Sequence, residues 1–255
     1  MIHSDLYSLL LRLLSGGLLG LGSACLAGHF GWRAAERMPG ESRWPHCLFC
    51  LERLNLDEMI PILGWILRKR AFLFPCPCGA RRRQGTQPLI EFLGFALGAG
   101  VAALAPWSAS LVPLAIGLGL LPAIALIDIH FGVIPDGLNM LVAVCGFLWL
   151  AMGGGNLAFG LVTAGLLLGL GLFLALIYSR WRGREMLGLG DVKFFAAAGL
   201  WLQMQTAPWF LAVAGITGVA TAYLWKRAGG GKELPFGPAL CLALAACIFY
   251  RICMA

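Results

Sequence analysis

Charged side chains are scarce in this sequence. Only 12% of its 255 residues are Asp, Glu, Lys or Arg, whereas soluble domains carry about 25%. Hydrophobic residues make up 60% of the chain, and 35 residues are glycine. These numbers exclude an ordinary soluble domain and predict an all-α polytopic membrane protein, with the glycines at close helix–helix contacts.

The N-terminus also lacks the marks of a secretory signal peptide. Met1–Asp5 contains no Lys or Arg, and the first apolar run has no evident small-residue cleavage site. We therefore expect this run to be retained as the first membrane span. Arg12 within it is expected to snorkel towards the interface or to face protein.

The net charge of +7 is unevenly distributed. Almost all of the 19 Lys and Arg residues lie in Arg33–Arg83, Arg180–Arg184 and Lys226–Lys232. The other short connections carry almost no charge, which is the positive-inside pattern and predicts that these three regions face the cytoplasm. We expect the Arg81–Arg83 run to contact membrane lipid headgroups rather than nucleic acid.

The apolar runs predict about eight transmembrane helices, and the chain divides into three parts. These parts are a first helix within residues 1–32, a cytoplasmic basic, cysteine-containing domain at 33–87, and a seven-helix membrane core at 88–255. An even number of spans places Asp128, Asp136 and Asp191 on the same side as the basic regions. The predicted spans lie near Leu6–Phe30, Pro88–Pro106, Ser110–Asp128, Val133–Met152, Leu157–Tyr178, Gly188–Met204, Ala207–Trp225 and Gly237–Cys253.

Two aspartates stand at the borders of apolar runs, and a carboxylate in that position indicates a functional site. Asp128 ends one predicted span, and Asp191 begins another after Gly188-Leu-Gly190. Paired carboxylates serve general acid–base chemistry, and when they approach, one pKa rises. We expect Asp128 to hold the proton and Asp191 to act as the base. The alternative is that each is merely a helix-end residue at the water interface.

Four neighbours of these aspartates are candidate supporting residues. Gly188 and Gly190 allow the backbone to approach other groups closely. Asp136 follows Pro135, a combination typical of a helix start. Lys193 lies about 200° around an ideal helix from Asp191 and is therefore expected to snorkel away from it.

The basic segment contains two close thiol pairs. Cys47 and Cys50 form a C-x-x-C pair, and Cys76 and Cys78 follow after 25 intervening residues. This spacing predicts a tetrahedral zinc site, with His46 as an alternate ligand; four free cysteines are the alternative. The remaining cysteines lie in apolar runs and are interpreted as small buried hydrophobes, namely Cys25, Cys145, Cys241, Cys247 and Cys253.

In this order the motifs of the chain resemble those of the bacterial type IV prepilin peptidases, which are G-x-G-D membrane aspartic peptidases. The resemblance implies that Asp128 and Asp191 are the catalytic pair and that the cysteine segment is the metal-binding region. It rests on the first thiol pair, Glu58-Met-Ile-Pro61, Pro88-Leu-Ile-Glu91, Ile127-Asp128 with Ile134-Pro135-Asp136, Gly188-Leu-Gly-Asp-Val-Lys193 and Pro235-Phe-Gly-Pro238.

The resemblance further implies removal of a short basic leader from prepilins or type II secretion pseudopilins, at the cytoplasmic face of the bacterial inner membrane. It also implies N-methylation of the new N-terminus by S-adenosylmethionine, and contact with pilus or type II secretion machinery. Two departures from the family pattern concern the methyl transfer and the zinc. Ala24-Cys25-Leu26 follows Gly22-Ser23 where the family has Phe-Leu-Asn, and the second thiol pair is C-x-C.

Two other classes of function compete with the peptidase. A proton-coupled transporter would use the same aspartates as a relay, and predicts acids deep in the spans. A structural assembly protein would have incidental aspartates, and predicts that Asp128→Asn and Asp191→Asn have no effect.

Overall fold

The computed structural model of the chain describes residues 2–36, 86–182, 188–229 and 234–254. Within these ranges the protein is all-α, as predicted, and contains no β-strand. A π-helical turn at Leu150–Gly154 extends the fourth helix. The helices are α1 (Ile2–Glu36), α2 (Thr86–Leu104), α3 (Leu111–Phe131), α4 (Asp136–Trp149), α5 (Leu157–Arg182), α6 (Leu189–Gly199), α7 (Ala207–Arg227) and α8 (Gly237–Met254).

Seven of these helices are long and apolar enough to cross a membrane, so the multi-pass prediction is confirmed. The exception is α6, which has 11 residues and is about 17 Å long at 1.5 Å per residue. The predicted span Gly188–Met204 is longer than this helix. The N–H groups of Leu200, Trp201 and Leu202 bond to carbonyls three residues back, and this tighter winding ends the helix.

Helix α3 is the centre of the bundle. It packs against α1, α2, α4 and α8, and 72% of its span is buried inside the protein. A helix that is apolar on every side is suited to such a position. It ends where Gly132, in the left-handed conformation with φ 64°, donates its N–H to the carbonyl of Asp128 at 2.8 Å. The end of α3 therefore carries Asp128 in the interior of the bundle.

Glycines hold α1 and α2 unusually close together. A Cβ at Gly20 would overlap the carbonyl oxygen of Gly94, and one at Gly98 would overlap that of Gly16. Spacings of four residues between small residues allow helix backbones to touch in this way. The glycine content therefore serves helix contacts here, as expected.

The sequence predictions for the cysteines have mixed outcomes. Cys47, Cys50, Cys76 and Cys78 lie outside the described residues, together with Glu58–Pro61 and the Arg81–Arg83 run, so the zinc site at these cysteines stays a prediction. Four of the other cysteines are buried as predicted, but the prediction for Cys253 is wrong, because it is exposed in the last turn of α8.

Candidate active site

Asp128 lies in the last turn of α3 and is only 5% exposed. Its Oδ2 accepts a hydrogen bond of 2.7 Å from the backbone N–H of Gly237, the first residue of α8. The N-terminus of a helix favours a negative charge, so α8 helps to hold this carboxylate. A Cβ at position 237 would lie 2.8 Å from both Cβ and Oδ2 of Asp128. Only glycine leaves room for this contact.

Asp191 is in the first turn of α6. Gly188, the residue that caps this helix, lies beside the Asp191 carboxylate, since a Cβ at Gly188 would be 3.3 Å from Asp191 Oδ2. Gly190 packs against the connection between α3 and α4, where an added Cβ would lie 3.3 Å from Cβ of Ile134. These two glycines therefore have separate roles: Gly188 contacts the carboxylate, and Gly190 lets α6 approach the end of α3.

The two aspartates come from different helices and interact electrostatically. Burial, and then the neighbouring Asp128 carboxylate, raise the pKa of Asp191 to about 7, against the smaller opposing effect of the Gly188 backbone. Near neutral pH, Asp191 can therefore both take up and release a proton. The assignment of the proton to Asp128 stays a prediction.

Asp136 and Lys193 pair with each other rather than with Asp128 or Asp191. Lys193 Nζ donates to Asp136 Oδ1 at 2.8 Å, and the lysine and aspartate side chains are 52% and 72% exposed. Asp136 stands in the first turn of α4, but Pro135 is the cap residue and no side chain caps this helix. An exposed ion pair of this kind contributes up to about 1 kcal/mol. It joins the starts of α4 and α6 from the solvent side.

Asn139 is a site residue that the sequence interpretation missed. It lies one turn beyond Asp136 and is 4% exposed. Its Nδ2 donates to the carbonyl of Gly190 at 3.1 Å, and within the described part of the chain its buried Oδ1 has no hydrogen-bond partner. A lone amide in an apolar helix was the available signal, because polar groups inside membrane helices are usually functional.

Cys241 was also missed, and Gly237 was noted only within the motif Pro235-Phe-Gly-Pro238, with no role in the site. Cys241 was interpreted only as a small hydrophobe, yet its buried thiol is close enough to interact electrostatically with both Asp128 and Asp191. It follows Gly237 by four residues, so the two lie on the same face of α8. This spacing was visible in the sequence, but nothing in it indicated that this face meets α3.

The fold and this site define a multi-pass helical membrane protein with two aspartates, Asp128 buried and Asp191 half-buried, at one end of its bundle. A sequence model of the type IV leader peptidase family matches residues 115–223, which include both aspartates. The prepilin leader peptidase/N-methyltransferase of Dickeya chrysanthemi is 35% identical over 216 residues, covering 78% of this chain and 71% of the relative. The chain therefore belongs to the type IV leader peptidase family.

Two further relatives carry related names. The prepilin leader peptidase/N-methyltransferase of Burkholderia pseudomallei strain K96243 is 34% identical over 213 residues, covering 80% of this chain and 66% of the relative. The type 4 prepilin-like proteins leader peptide-processing enzyme of Escherichia coli O78:H11 is 29% identical over 211 residues, covering 81% of this chain and 75% of the relative. The chain thus spans slightly less than two thirds of the Burkholderia relative. No solved structure matches it.

Proposed function

We propose that this chain is an aspartic endopeptidase that removes the leader from type IV prepilins or type II secretion pseudopilins. The observation that carries the proposal is the coupled pair Asp128–Asp191, which two helices from distant parts of the chain bring together. The names of the relatives, which refer to prepilin leader processing, support the substrate class.

The pair supplies both functions that peptide hydrolysis requires. One carboxylate, proposed to be Asp191, removes a proton from water as the water oxygen attacks the scissile carbonyl carbon. The other, proposed to be Asp128, donates its proton to the nitrogen of the departing amine. The C–N bond breaks without a covalent enzyme intermediate. The Gly237 N–H fixes the orientation of Asp128 during both steps.

The aspartate end of the bundle, defined by Asp128, Asp136 and Asp191, is proposed to face the cytoplasm of a bacterium, with the protein in the inner membrane. Helices α5 and α7 end in basic residues, including Arg180 and Arg227, and short connections of the chain lead from them to α6 and α8 beside the aspartates. This is the distribution expected of a cytoplasmic face. The apolar helix of a prepilin would then lie among the spans, with its basic leader at the aspartate end.

The orientation is tested by labelling single cysteines in intact cells. Positions in the turns Gly153–Asn156 and Gln203–Pro208 should react with a membrane-impermeant thiol reagent from outside. Positions 182 and 232 should react only after permeabilisation. The reverse accessibility at either turn would contradict the proposed orientation.

Methyl transfer to the new N-terminus, with S-adenosylmethionine as the donor, is the second half of the proposal. It rests on the word N-methyltransferase in the names of the relatives. Leu26, which stands where the family pattern has asparagine, is 54% exposed on α1. Contact with the pilus or type II secretion machinery follows from the proposed substrates.

The transporter alternative is not supported. It predicts acids deep in the spans, whereas Asp128 lies in the last turn of α3 and Asp191 in the first turn of α6. The relatives are named as leader peptidases rather than as transporters.

Cleavage of a synthetic prepilin peptide by the purified chain tests the peptidase. Asp128→Asn and Asp191→Asn should each reduce the rate by at least about 1,000-fold, because each removes one proton-transfer group. Asp136→Asn is the control and should retain substantial activity, since its carboxylate is exposed and, among the described residues, pairs with Lys193 alone. The mass of the product reports methylation when S-adenosylmethionine is added.

Wild-type rates in both Asp128→Asn and Asp191→Asn would support the structural assembly protein instead. Equal loss in all three variants, with normal expression and insertion, would contradict the assignment of the pair.

A further inference from the structure

A second polar cluster lies between α1 and α2. Cys25 and His29 are four residues apart on α1, and Glu91 faces them from α2. One ligand atom of each residue, the thiol sulfur, an imidazole nitrogen and a carboxylate oxygen, lies within 4.8 Å of the other two. Cys25 and Glu91 are 1% and 4% exposed, and His29 is half-buried.

The helix packing around this cluster brings the three side chains together. Gly94 and Gly98 on α2 meet the backbone of α1 directly, and a Cβ at Gly28 would overlap the amide of Gln87. Residues four apart lie on the same face of a helix. The close approach of the two helices therefore brings Cys25 and His29 on α1 next to Glu91 on α2. Tetrahedral sites with Zn–S bonds of about 2.3 Å and Zn–N or Zn–O bonds of about 2.0–2.2 Å have ligand atoms roughly 3.3–3.7 Å apart. A small inward movement of these side chains would reach that spacing.

Gln87 supports the cluster from outside the three ligand residues. Its Nε2 donates to Glu91 Oε1 at 3.3 Å and to the carbonyl of Cys25 at 3.2 Å. Outer hydrogen bonds of this kind orient metal-binding carboxylates. The donor set itself selects the class of ion, because thiolate and imidazole favour zinc and similar borderline metals over magnesium or calcium.

We propose that Cys25, His29 and Glu91 form a binding site for a zinc-class divalent metal ion that links α1 to α2. The site is separate from the one predicted at Cys47, Cys50, Cys76 and Cys78. Its role is structural. Two residues beyond His29, a Cβ at Gly31 would lie 2.9 Å from Cδ1 of Ile127, the residue before Asp128. A metal ion that fixes α1 would therefore also help to fix Ile127 beside Asp128.

The test measures metal content in the full chain, purified in detergent with Cys47→Ser, Cys50→Ser, Cys76→Ser and Cys78→Ser. This background removes the other predicted thiol ligands. After incubation with zinc and removal of loose ions, about one zinc per chain should remain. Adding Cys25→Ser or Glu91→Gln should remove it. Adding Cys145→Ser, a change at a buried cysteine of α4, should not.

Replacement of zinc by cobalt(II) gives a second readout. A thiolate-to-cobalt charge-transfer band should appear in the same background and disappear with Cys25→Ser. Absence of bound zinc and of this band in a folded background protein would overturn the proposal and leave a hydrogen-bonded cluster. Zinc retained in both ligand variants would also overturn it.

A background protein that fails to fold does not prevent the test. The wild-type chain and Cys25→Ser are then compared directly, and wild type should hold one zinc more per chain. Equal zinc content in the two proteins would overturn the proposal, and Cys145→Ser again serves as the control.

Discussion

The two ends of the bundle both place polar groups in the protein interior, but they differ in the partners that these groups have among the described residues. At the tryptophan end, defined by Trp149, Trp201 and Arg251, the guanidinium donates to the carbonyls of Trp201 at 2.9 Å and Gly154 at 2.8 Å. It also lies 4.5 Å from the ring centroid of Trp149, which stacks on Trp201. One arginine thus joins α8 to the ends of α4 and α6.

At the aspartate end, burial brings two like charges together. The Asp128 carboxylate accepts a hydrogen bond from the Gly237 N–H, and it helps to raise the pKa of Asp191. Close to them, the buried Oδ1 of Asn139 has no partner within the described ranges. Like charges in a buried site raise the energy of the folded state. We infer that the contacts at the tryptophan end stabilise the bundle, whereas the groups at the aspartate end lower its stability and serve the proposed reaction. Such a cost in stability is common at active sites.

The largest effect on cleavage outside the aspartates themselves is expected from Gly237→Ala. The new Cβ would lie 2.8 Å from the Asp128 carboxylate and must displace it. Displacement of a reacting group by about 1 Å costs roughly 100-fold in rate, so we expect a loss of about that size in cleavage of a synthetic prepilin peptide. The folded fraction should stay high, because the N–H of residue 237 is retained.

Gly215→Ala is the matched control, since a Cβ at Gly215 on α7 meets no atom of the described residues within 4 Å. It should leave cleavage unchanged and stabilise its helix by about 0.5–1 kcal/mol. A wild-type rate in Gly237→Ala would show that the contact between α8 and Asp128 does not matter for the reaction.

A smaller effect is expected from raising the pH. The pKa of Asp191 is raised to about 7, in part by the Asp128 carboxylate, so the pair keeps one proton below about pH 7 and loses it above. The proposed reaction needs that proton for the departing amine, so the cleavage rate should decrease about tenfold per pH unit above about 7. Asp136→Asn should leave this alkaline limb in place. A rate that stays constant from about pH 7 to about pH 9 would contradict the coupling of the two aspartates.

Protein stability should also depend on the Asp191 proton. The folded state holds this proton more tightly than the unfolded state, in which the pKa of the carboxyl group is 3.8. This contribution to the free energy of unfolding is therefore fully present below about pH 3.8 and is lost as the pH rises through about 7. Asp191→Asn should abolish that loss.

The tryptophan end should affect stability and leave cleavage unchanged. Arg251→Met removes the donors to the carbonyls of Trp201 and Gly154, and each unsatisfied carbonyl costs about 1–3 kcal/mol if it stays buried. We expect the free energy of unfolding in detergent to fall by about 2 kcal/mol, with the same cleavage rate per folded molecule. Arg227→Met, which removes an exposed stack on Tyr223, should cost no more than about 1 kcal/mol. A reduced rate in folded Arg251→Met would show that the two ends are not independent.

Much of the architecture follows from local patterns. Long apolar runs predict the spans, since a bilayer of about 30 Å requires about 20 apolar residues. The position of Asp128 and Asp191 at the borders of those runs already indicates that they share one end of the bundle. The exception is α6, whose early end at Gly199 depends on its winding at Leu200–Leu202 rather than on hydropathy.

The contacts within the sites do not follow from local patterns. The bond from Gly237 to Asp128 joins residues 109 positions apart, and Gln87 reaches Cys25 across 62 positions. Helix α3 is apolar on every side, so its sequence cannot indicate which neighbour meets which face. The pairing of helices in three dimensions therefore makes Gly237, Asn139 and Cys241 part of the aspartate site, and it turns Cys25 from a small hydrophobe into a candidate metal ligand.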